Sequence, residues 1–195
     1  MMSSSNDHVI LVPACLLCPT YMAVKDSAKL SWRKVIIDFL IENNYSILSL
    51  PCPESTFDHA GAGMHRLPHN IKYYEKLIGF SEHCSSLAKQ VVEQIEKLTC
   101  YGCKVDIILG LENSPTCAVE KMFIWGEGTV KKPGIFIEKL AAVLYEKGIS
   151  IPIIGINRQS IQKTICYIAD NMADKGSEDC GRDQTKNNKY KQRSI

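Results

Sequence analysis

The sequence predicts an α/β fold, a Rossmann-like three-layer sandwich in which a mainly parallel sheet lies between two layers of helices. Apolar runs rich in β-branched residues alternate with segments of helical period, which is typical of a parallel sheet covered by helices. The chain has 195 residues, 45% of them hydrophobic, and it carries 23 basic against 21 acidic side chains. These values favour one globular domain and exclude a chain that is disordered throughout.

Four strands and four helices are predicted in alternating order. The predicted strands are His8 to Val12, Ser46 to Leu50, Val105 to Leu109 and Ile151 to Ile156. Apolar residues at helical spacing mark helices at Trp32 to Leu40, at Leu87 to Leu98 and at Ile161 to Met172. Pro133 marks the start of a further helix and Gly148 its end. Right-handed crossovers then place helices on both faces of the sheet.

The domain is predicted to span residues 8–173, followed by a polar, aperiodic tail over 174–195 that we expect to be disordered. The near-neutral charge argues against binding a long nucleic acid, which needs a basic face, and favours a small substrate. No apolar run approaches the ~20 residues of a membrane span, and the N-terminus lacks the basic start of a secretory signal. We therefore expect a cytoplasmic protein with no membrane partner; the sequence does not indicate its oligomeric state.

One stretch, from Ser55 to Ile71, has no apolar periodicity and is predicted to be a long loop. It contains His59, His65 and His69. Long loops in compact domains are usually functional. We expect these histidines to face solvent or substrate, with a histidine metal site as the alternative.

Cysteine is the residue type that points to function. The chain has nine cysteines, an odd number that favours thiols, metal ligands or catalytic groups over a disulfide framework. Cys15, Cys52 and Cys117 each follow a predicted strand within a few residues. Because loops at the carboxyl ends of parallel strands gather at one edge, these three thiols are expected to converge there. The alternative is three unrelated buried cysteines.

Three converging thiolates favour some metal sites over others. A structural zinc ion normally takes four ligands, whereas soft thiolates also suit iron–sulfur clusters. A cubane cluster with three protein ligands leaves one iron open to substrate.

Two Cys-x2-Cys pairs also occur, Cys15/Cys18 and Cys100/Cys103, which a scan for zinc ribbons would select. Cys100 and Cys103 precede the strand that Cys117 follows, so they are predicted to lie at the opposite edge of the sheet. They are interpreted as ordinary thiols at a helix end, with a separate redox couple as the alternative.

Two polar residues accompany the predicted ligands. Glu54 follows Cys52 by two residues, and Ser114 precedes Cys117 by three. Glu54 could serve as a general acid or base, and Ser114 could orient water or donate to a developing anion. The alternatives are a carboxylate favoured by a helix dipole for Glu54 and a turn cap for Ser114.

At these residues the sequence resembles the 2-thiouracil desulfurase family, formerly a domain of unknown function. The resemblance rests on Ala14-Cys-Leu-Leu, Cys52-Pro-Glu and Ser114-Pro-Thr-Cys, in that order, and extends over roughly residues 8 to 158. Main-family members usually have glycine where this chain has Cys18 and Ala118, and Glu112-Asn113 replaces a basic Arg-Ser pair. The match is closer to a divergent, desulfidase-related subgroup.

The resemblance implies a [4Fe-4S] cluster held by Cys15, Cys52 and Cys117, with Glu54 and Ser114 as catalytic residues. It implies an enzyme that removes sulfur from a small thiolated compound such as a thiouracil-like base, releasing sulfide by hydrolysis. The acidic Glu112 is interpreted as further disfavouring an anionic nucleic-acid substrate. Two rivals remain: an iron–sulfur electron-transfer or redox-sensing protein in which Cys18 is the fourth ligand, and a zinc-binding or ligand-binding α/β domain.

Overall fold

The computed structural model describes residues 7–18, 31–57 and 71–173. Within them, four parallel strands form one sheet in the order β2-β1-β3-β6. The strands are β1 (His8–Pro13), β2 (Ser46–Leu50), β3 (Lys104–Leu111) and β6 (Ile153–Ile156). β2 and β3 flank β1 on opposite sides. The connection that leaves β1 therefore runs toward one side of the sheet, and the connection that leaves β3 runs toward the other.

Seven helices are present in the described residues. They are α1 (Ala14–Leu17), α2 (Ser31–Glu42), α3 (Pro53–Thr56), α4 (Ile71–Lys76), α5 (Phe80–Cys100), α6 (Ile135–Glu146) and α7 (Ile161–Ala173). Helix α5 packs against α6, and α2 packs against α7. Right-handed crossovers put these two pairs on opposite faces of the sheet. The predicted α/β fold, a Rossmann-like three-layer sandwich, is confirmed.

The core lies on both faces of the two central strands. In β1 and β3 the apolar side chains are buried almost without interruption, with Ile10, Val12 and Ile108 fully enclosed. Such continuous apolar runs are typical of parallel strands covered on both sides. The edge strand β2 is more exposed, and of its side chains only that of Leu50 is buried.

The strand prediction for residues 46–50 matches β2, whereas the other boundaries differ. β1, β3, α2 and α7 extend one or two residues beyond the predicted ranges at one or both ends, and α5 begins at Phe80 rather than Leu87. Strand β6 begins at Ile153 rather than Ile151, directly after Pro152, which has no N–H to donate. Helix α6 begins at Ile135 with Gly134 as its N-cap, so Pro133 precedes the helix. Gly148 follows its end, as predicted, and has a left-handed φ of 66°.

An antiparallel hairpin between β3 and α6 was not predicted. It pairs β4 (Lys121–Ile124) with β5 (Gly128–Lys131), and its strands of four residues are too short for a clear period. No helix in the described residues is long and apolar enough to span a membrane. The proposed tail and the three loop histidines lie outside the described residues, and the domain boundaries stay predictions.

Candidate active site at the carboxyl edge of the sheet

The three cysteines predicted to converge follow three adjacent strands. Cys15 lies in α1 directly after β1, and Cys52 is the N-cap of α3 after β2. Cys117 lies in a turn after β3. Adjacent strands are about 4.8 Å apart, so these three loops are neighbours at one edge of the sheet, at the point where the strand order reverses.

The pKa shifts of the three thiols reflect their burial and the charges beside them. Burial, with the charges of Cys52 and Glu54 adding, raises the pKa of Cys15 to about 12, against smaller lowering by a backbone hydrogen bond and by Arg33. Burial also raises the pKa of Cys117 well above its usual value, with added contributions from Cys52 and Cys15. Cys52 shifts in the same direction, from burial first and then from Glu54. Burial and neighbouring cysteines therefore disfavour the thiolates of Cys15 and Cys117, whereas burial and Glu54 disfavour that of Cys52.

This donor set fits an iron–sulfur cluster in the type and place of its ligands. Three thiols that are protonated at neutral pH need a cationic partner to become thiolates together, and soft thiolates suit iron–sulfur clusters. In the part of the chain that the structure describes, no three His, Cys, Asp or Glu side chains are grouped so that they could hold a metal ion. The cysteines therefore match an iron–sulfur cluster in ligand type and in their position after adjacent strands. Their side chains are not arranged at the distances of metal ligands.

Glu54 is held between two hydroxyl groups. It lies in the first turn of α3, where the helix dipole favours a negative charge. Its Oε2 accepts a hydrogen bond from Tyr74 Oη at 3.1 Å, and its Oε1 accepts one from Thr116 Oγ1 at 2.9 Å. The same Thr116 oxygen lies 3.5 Å from the sulfur of Cys117. Thr116 therefore links the carboxylate to the third cysteine.

Ser114 is buried and caps the turn that carries Cys117. Its Oγ accepts the backbone N–H of Cys117 at 3.1 Å and that of Thr116 at 3.3 Å. It also lies 3.3 Å from Thr116 Oγ1. These contacts agree with the alternative interpretation of Ser114 as a turn cap. The hydroxyl proton of Ser114 can then be donated to a polar partner such as Thr116.

The turn over residues 114–118 is fixed from two sides. The backbone N–H of Leu111 donates to the carbonyl of Cys117 at 2.8 Å, which folds the turn back onto β3. Phe136, in the first turn of α6, donates its N–H to the Thr116 carbonyl at 3.1 Å. A Cβ on Gly134 would lie 2.4 Å from that carbonyl carbon, so only glycine allows α6 to approach this closely.

Glu112 has a structural role. Its carboxylate is buried and accepts the backbone N–H groups of Glu120 at 3.1 Å and Lys121 at 2.7 Å. It also lies directly over Gly155 of β6, where a Cβ would overlap it. These contacts bind the β3–β4 connection to the sheet. The interpretation that the charge of Glu112 disfavours an anionic nucleic-acid substrate stays a prediction.

The other described cysteines lie either near the ends of strands and helices or within helices. Cys18 ends α1 with extended backbone (φ −119°, ψ 107°), as the following proline predicts, and its side chain is half-buried. Cys100 ends α5 and Cys103 immediately precedes β3, at the amino edge, as predicted. Cys84 is buried in α5 and Cys166 half-buried in α7. Cys180 lies outside the described residues.

A cavity of about 330 Å³ opens beside Cys52. Its walls come from the end of β2, from α1 and α3, and from one face of α5; the lining residues are Ala14, Ser49, Leu50, Pro51, Cys52, Ser55, Thr56, Gln90, Val91 and Gln94. This volume is at the lower end of the range for small-molecule pockets, roughly 300–1,000 Å³. A molecule of one or two rings is of a size that this volume accommodates.

The sequence predicted Glu54 and Ser114 but not Thr116 or Tyr74. Thr116 is next to Cys117 in the Ser-Pro-Thr-Cys motif, and this position beside a predicted ligand could have marked it as a site residue. Tyr74 lies 20 residues beyond Glu54 in the chain, on a six-residue helix. No local pattern marks such a contact.

No protein-family model matches the chain. One curated relative, the uncharacterized protein MJ0003 of Methanocaldococcus jannaschii, is 29% identical over 86 residues, which are 44% of this chain and 51% of the relative. The match thus spans about half the length of that relative. Among solved structures, the chain is similar to a [4Fe-4S]-dependent thiouracil desulfidase, TudS, with 16% sequence identity and a TM-score of 0.47, over 84% of this chain and 99% of that one.

Proposed function

We propose that this protein is an iron–sulfur-dependent desulfidase that removes sulfur from a small thiolated compound, such as a thiouracil-like base, by hydrolysis. In this reaction the oxygen of water replaces the sulfur of a carbon–sulfur double bond. Both protons of the water leave with the sulfur as hydrogen sulfide, or as hydrosulfide and a proton. No oxidant or reductant is consumed.

One observation carries the proposal: a carboxylate is tied to the last of three converging thiols. Thr116 Oγ1 lies 2.9 Å from Glu54 and 3.5 Å from the sulfur of Cys117. A carboxylate is a group that a hydrolysis needs to move protons, whereas electron transfer alone does not require one. The resemblance of the three cysteine motifs to 2-thiouracil desulfurases supports the same reaction.

Cys15, Cys52 and Cys117 would hold the [4Fe-4S] cluster, which when bound supplies an iron without a protein thiolate, a Lewis acid for the sulfur of the substrate. Glu54 would accept and return a proton at its carboxylate while Tyr74 and Thr116 keep that group in place. Ser114 uses its oxygen to accept two N–H groups, and its hydroxyl proton, which Thr116 Oγ1 can accept in the absence of a ligand, would orient substrate or water. The cavity beside Cys52 favours a small substrate.

Anaerobic reconstitution followed by a panel of thiobases tests the proposal. The iron-loaded protein is expected to release sulfide and the matching oxo base in equal amounts. Glu54→Gln is the test variant, and Glu93→Gln, which changes an exposed glutamate on α5, is the matched control. Iron-loaded protein that releases no sulfide from any thiobase would contradict the proposal and favour the electron-transfer rival.

A further inference from the structure

Both oxygens of the Glu54 carboxylate are engaged by hydroxyl donors from separate parts of the fold. Tyr74 donates from α4 to Oε2, and Thr116 donates from the turn after β3 to Oε1. The terminal torsion of a glutamate side chain is otherwise broad, so one donor alone leaves the carboxylate free to rotate. Two donors on opposite oxygens define a single orientation.

We propose that Thr116 and Tyr74 are positioning residues that fix the orientation of the Glu54 carboxylate beside Cys117. This inference rests on the proposed function for its consequence in catalysis, but the contact itself is independent of the reaction.

Both donors are rigid. Tyr74 is 1% exposed, and its ring packs against Phe80 with centroids 4.8 Å apart. Thr116 is also 1% exposed, and its carbonyl accepts N–H groups from Phe136 at 3.1 Å and Ile137 at 3.3 Å. Neither hydroxyl can follow the carboxylate if it turns away. The carboxylate must therefore adapt to them.

Folding alone does not explain this arrangement. Two buried hydroxyls and a half-buried carboxylate must satisfy one another because unpaired buried polar groups are costly. Replacing all partners of such a group with apolar residues of similar shape is often nearly neutral. The hydrogen-bonded group of Glu54, Thr116 and Tyr74 beside Cys117 is thus better explained by the chemistry of the site than by its contribution to stability.

The Thr116 hydroxyl has a single proton, and three possible acceptors lie within its reach. The oxygen of Glu54 is at 2.9 Å, the hydroxyl oxygen of Ser114 at 3.3 Å and the sulfur of Cys117 at 3.5 Å. The shorter distance and the negative charge assign the proton to Glu54, since charge-assisted hydrogen bonds are the stronger ones. Thr116 therefore orients Glu54 and sets its position relative to Cys117 at the same time.

Infrared difference spectroscopy on the cluster-free protein tests the contact without any activity. The carboxylate stretching band of Glu54 is identified as the band that Glu54→Gln removes. Thr116→Val and Tyr74→Phe delete one hydroxyl each while keeping the side-chain shape, and each is expected to shift that band. Thr99→Val and Tyr101→Phe are the matched controls at the other end of α5, and they should leave it unchanged. An unshifted band in both site variants overturns the proposal.

Kinetics on the iron-loaded protein test the consequence. A misplaced catalytic group can cost up to ~10²-fold in rate, so each site variant should lower kcat about 10- to 100-fold with KM nearly unchanged. Thr116→Ser keeps the hydroxyl, so its kcat should be close to that of the wild type rather than to that of Thr116→Val. Loss of iron in Thr116→Val, or failure of Thr116→Ser to restore kcat, overturns the positioning role. If wild-type protein releases no sulfide, the proposed function fails while the infrared result still decides the contact.

Discussion

Gly134→Ala is expected to damage the candidate site through packing. A Cβ at this position would lie 2.4 Å from the carbonyl carbon and oxygen of Thr116 and 2.8 Å from the nitrogen of Cys117. These are backbone atoms, so either α6 or the turn that carries Cys117 must move. The backbone of Gly134 is extended (φ −72°, ψ 154°), so alanine meets no conformational strain there.

The magnitude follows from two opposing effects. Overpacking costs about 1–3 kcal/mol, and the reduced entropy of the unfolded chain returns about 0.4–1 kcal/mol. The net loss of about 1–2 kcal/mol corresponds to a fall in Tm of about 2–8 °C for a chain of this size. Because the displaced atoms belong to Thr116 and Cys117, incorporation of iron should fall as well.

Gly126→Ala is the matched control for this prediction. Gly126 has a φ of 85°, so alanine is strained there, yet a Cβ would have nothing within 4 Å. The left-handed conformation costs about 1–2 kcal/mol, which gives a similar fall in Tm. Thermal melting and iron analysis after anaerobic reconstitution should show both variants destabilised and only Gly134→Ala depleted in iron. A Gly134→Ala protein that melts and binds iron like wild type would refute the reasoning.

Three further predictions concern single residues. Glu54→Gln should retain the cluster while turnover falls by ~10²-fold or more, and unchanged turnover would return Glu54 to a structural role. Cys18→Ala should keep iron, colour and turnover, and loss of the cluster would favour the electron-transfer rival. Burial, with the charge of Glu54 adding and that of Lys139 opposing, raises the pKa of Cys84 from 9.0 to about 12. Between these two pH values Cys84 is protonated in the folded protein and deprotonated in the unfolded chain. The cluster-free protein should therefore lose stability as pH rises above 9, and Cys84→Ala should reduce that slope, measured by urea unfolding, by up to about 1.4 kcal/mol per pH unit.

The elements that local sequence predicts well are those with one dominant pattern. The apolar runs of β1 and β3 are nearly continuous because both faces of these strands are buried, and the stripes of α2, α5 and α7 have a clear helical period. The edge strand β2 has a shorter apolar run, in which only Leu50 is buried. The β4–β5 hairpin was not predicted because β4 has only two buried residues, Met122 and Ile124, and β5 has none. The short helices α1, α3 and α4 are less than two turns long and leave no period to detect.

The candidate site was predictable in its location but not in its contacts. The alternation of strands and helices and the position of each cysteine after a predicted strand led to the expectation that Cys15, Cys52 and Cys117 share one edge. The order of the strands that makes these loops neighbours comes from the structure. The contact from Thr116 to Glu54 spans 62 residues of sequence, and its existence depends on how α3 and the turn after β3 pack. Glu112 was interpreted from its charge alone, and its role as a buried acceptor for two N–H groups depends on how the β3–β4 connection folds over the sheet.

Iron content of matched cysteine variants tests the central claim most directly. Cys15→Ala, Cys52→Ala, Cys117→Ala and Cys100→Ala are each purified anaerobically, reconstituted and analysed for iron and sulfide. The account predicts that the first three lose the cluster, because their thiols converge at the carboxyl edge of the sheet, and that Cys100→Ala retains it at the amino edge. Equal loss of iron in Cys100→Ala, or full iron retention in any of the other three, would contradict the account.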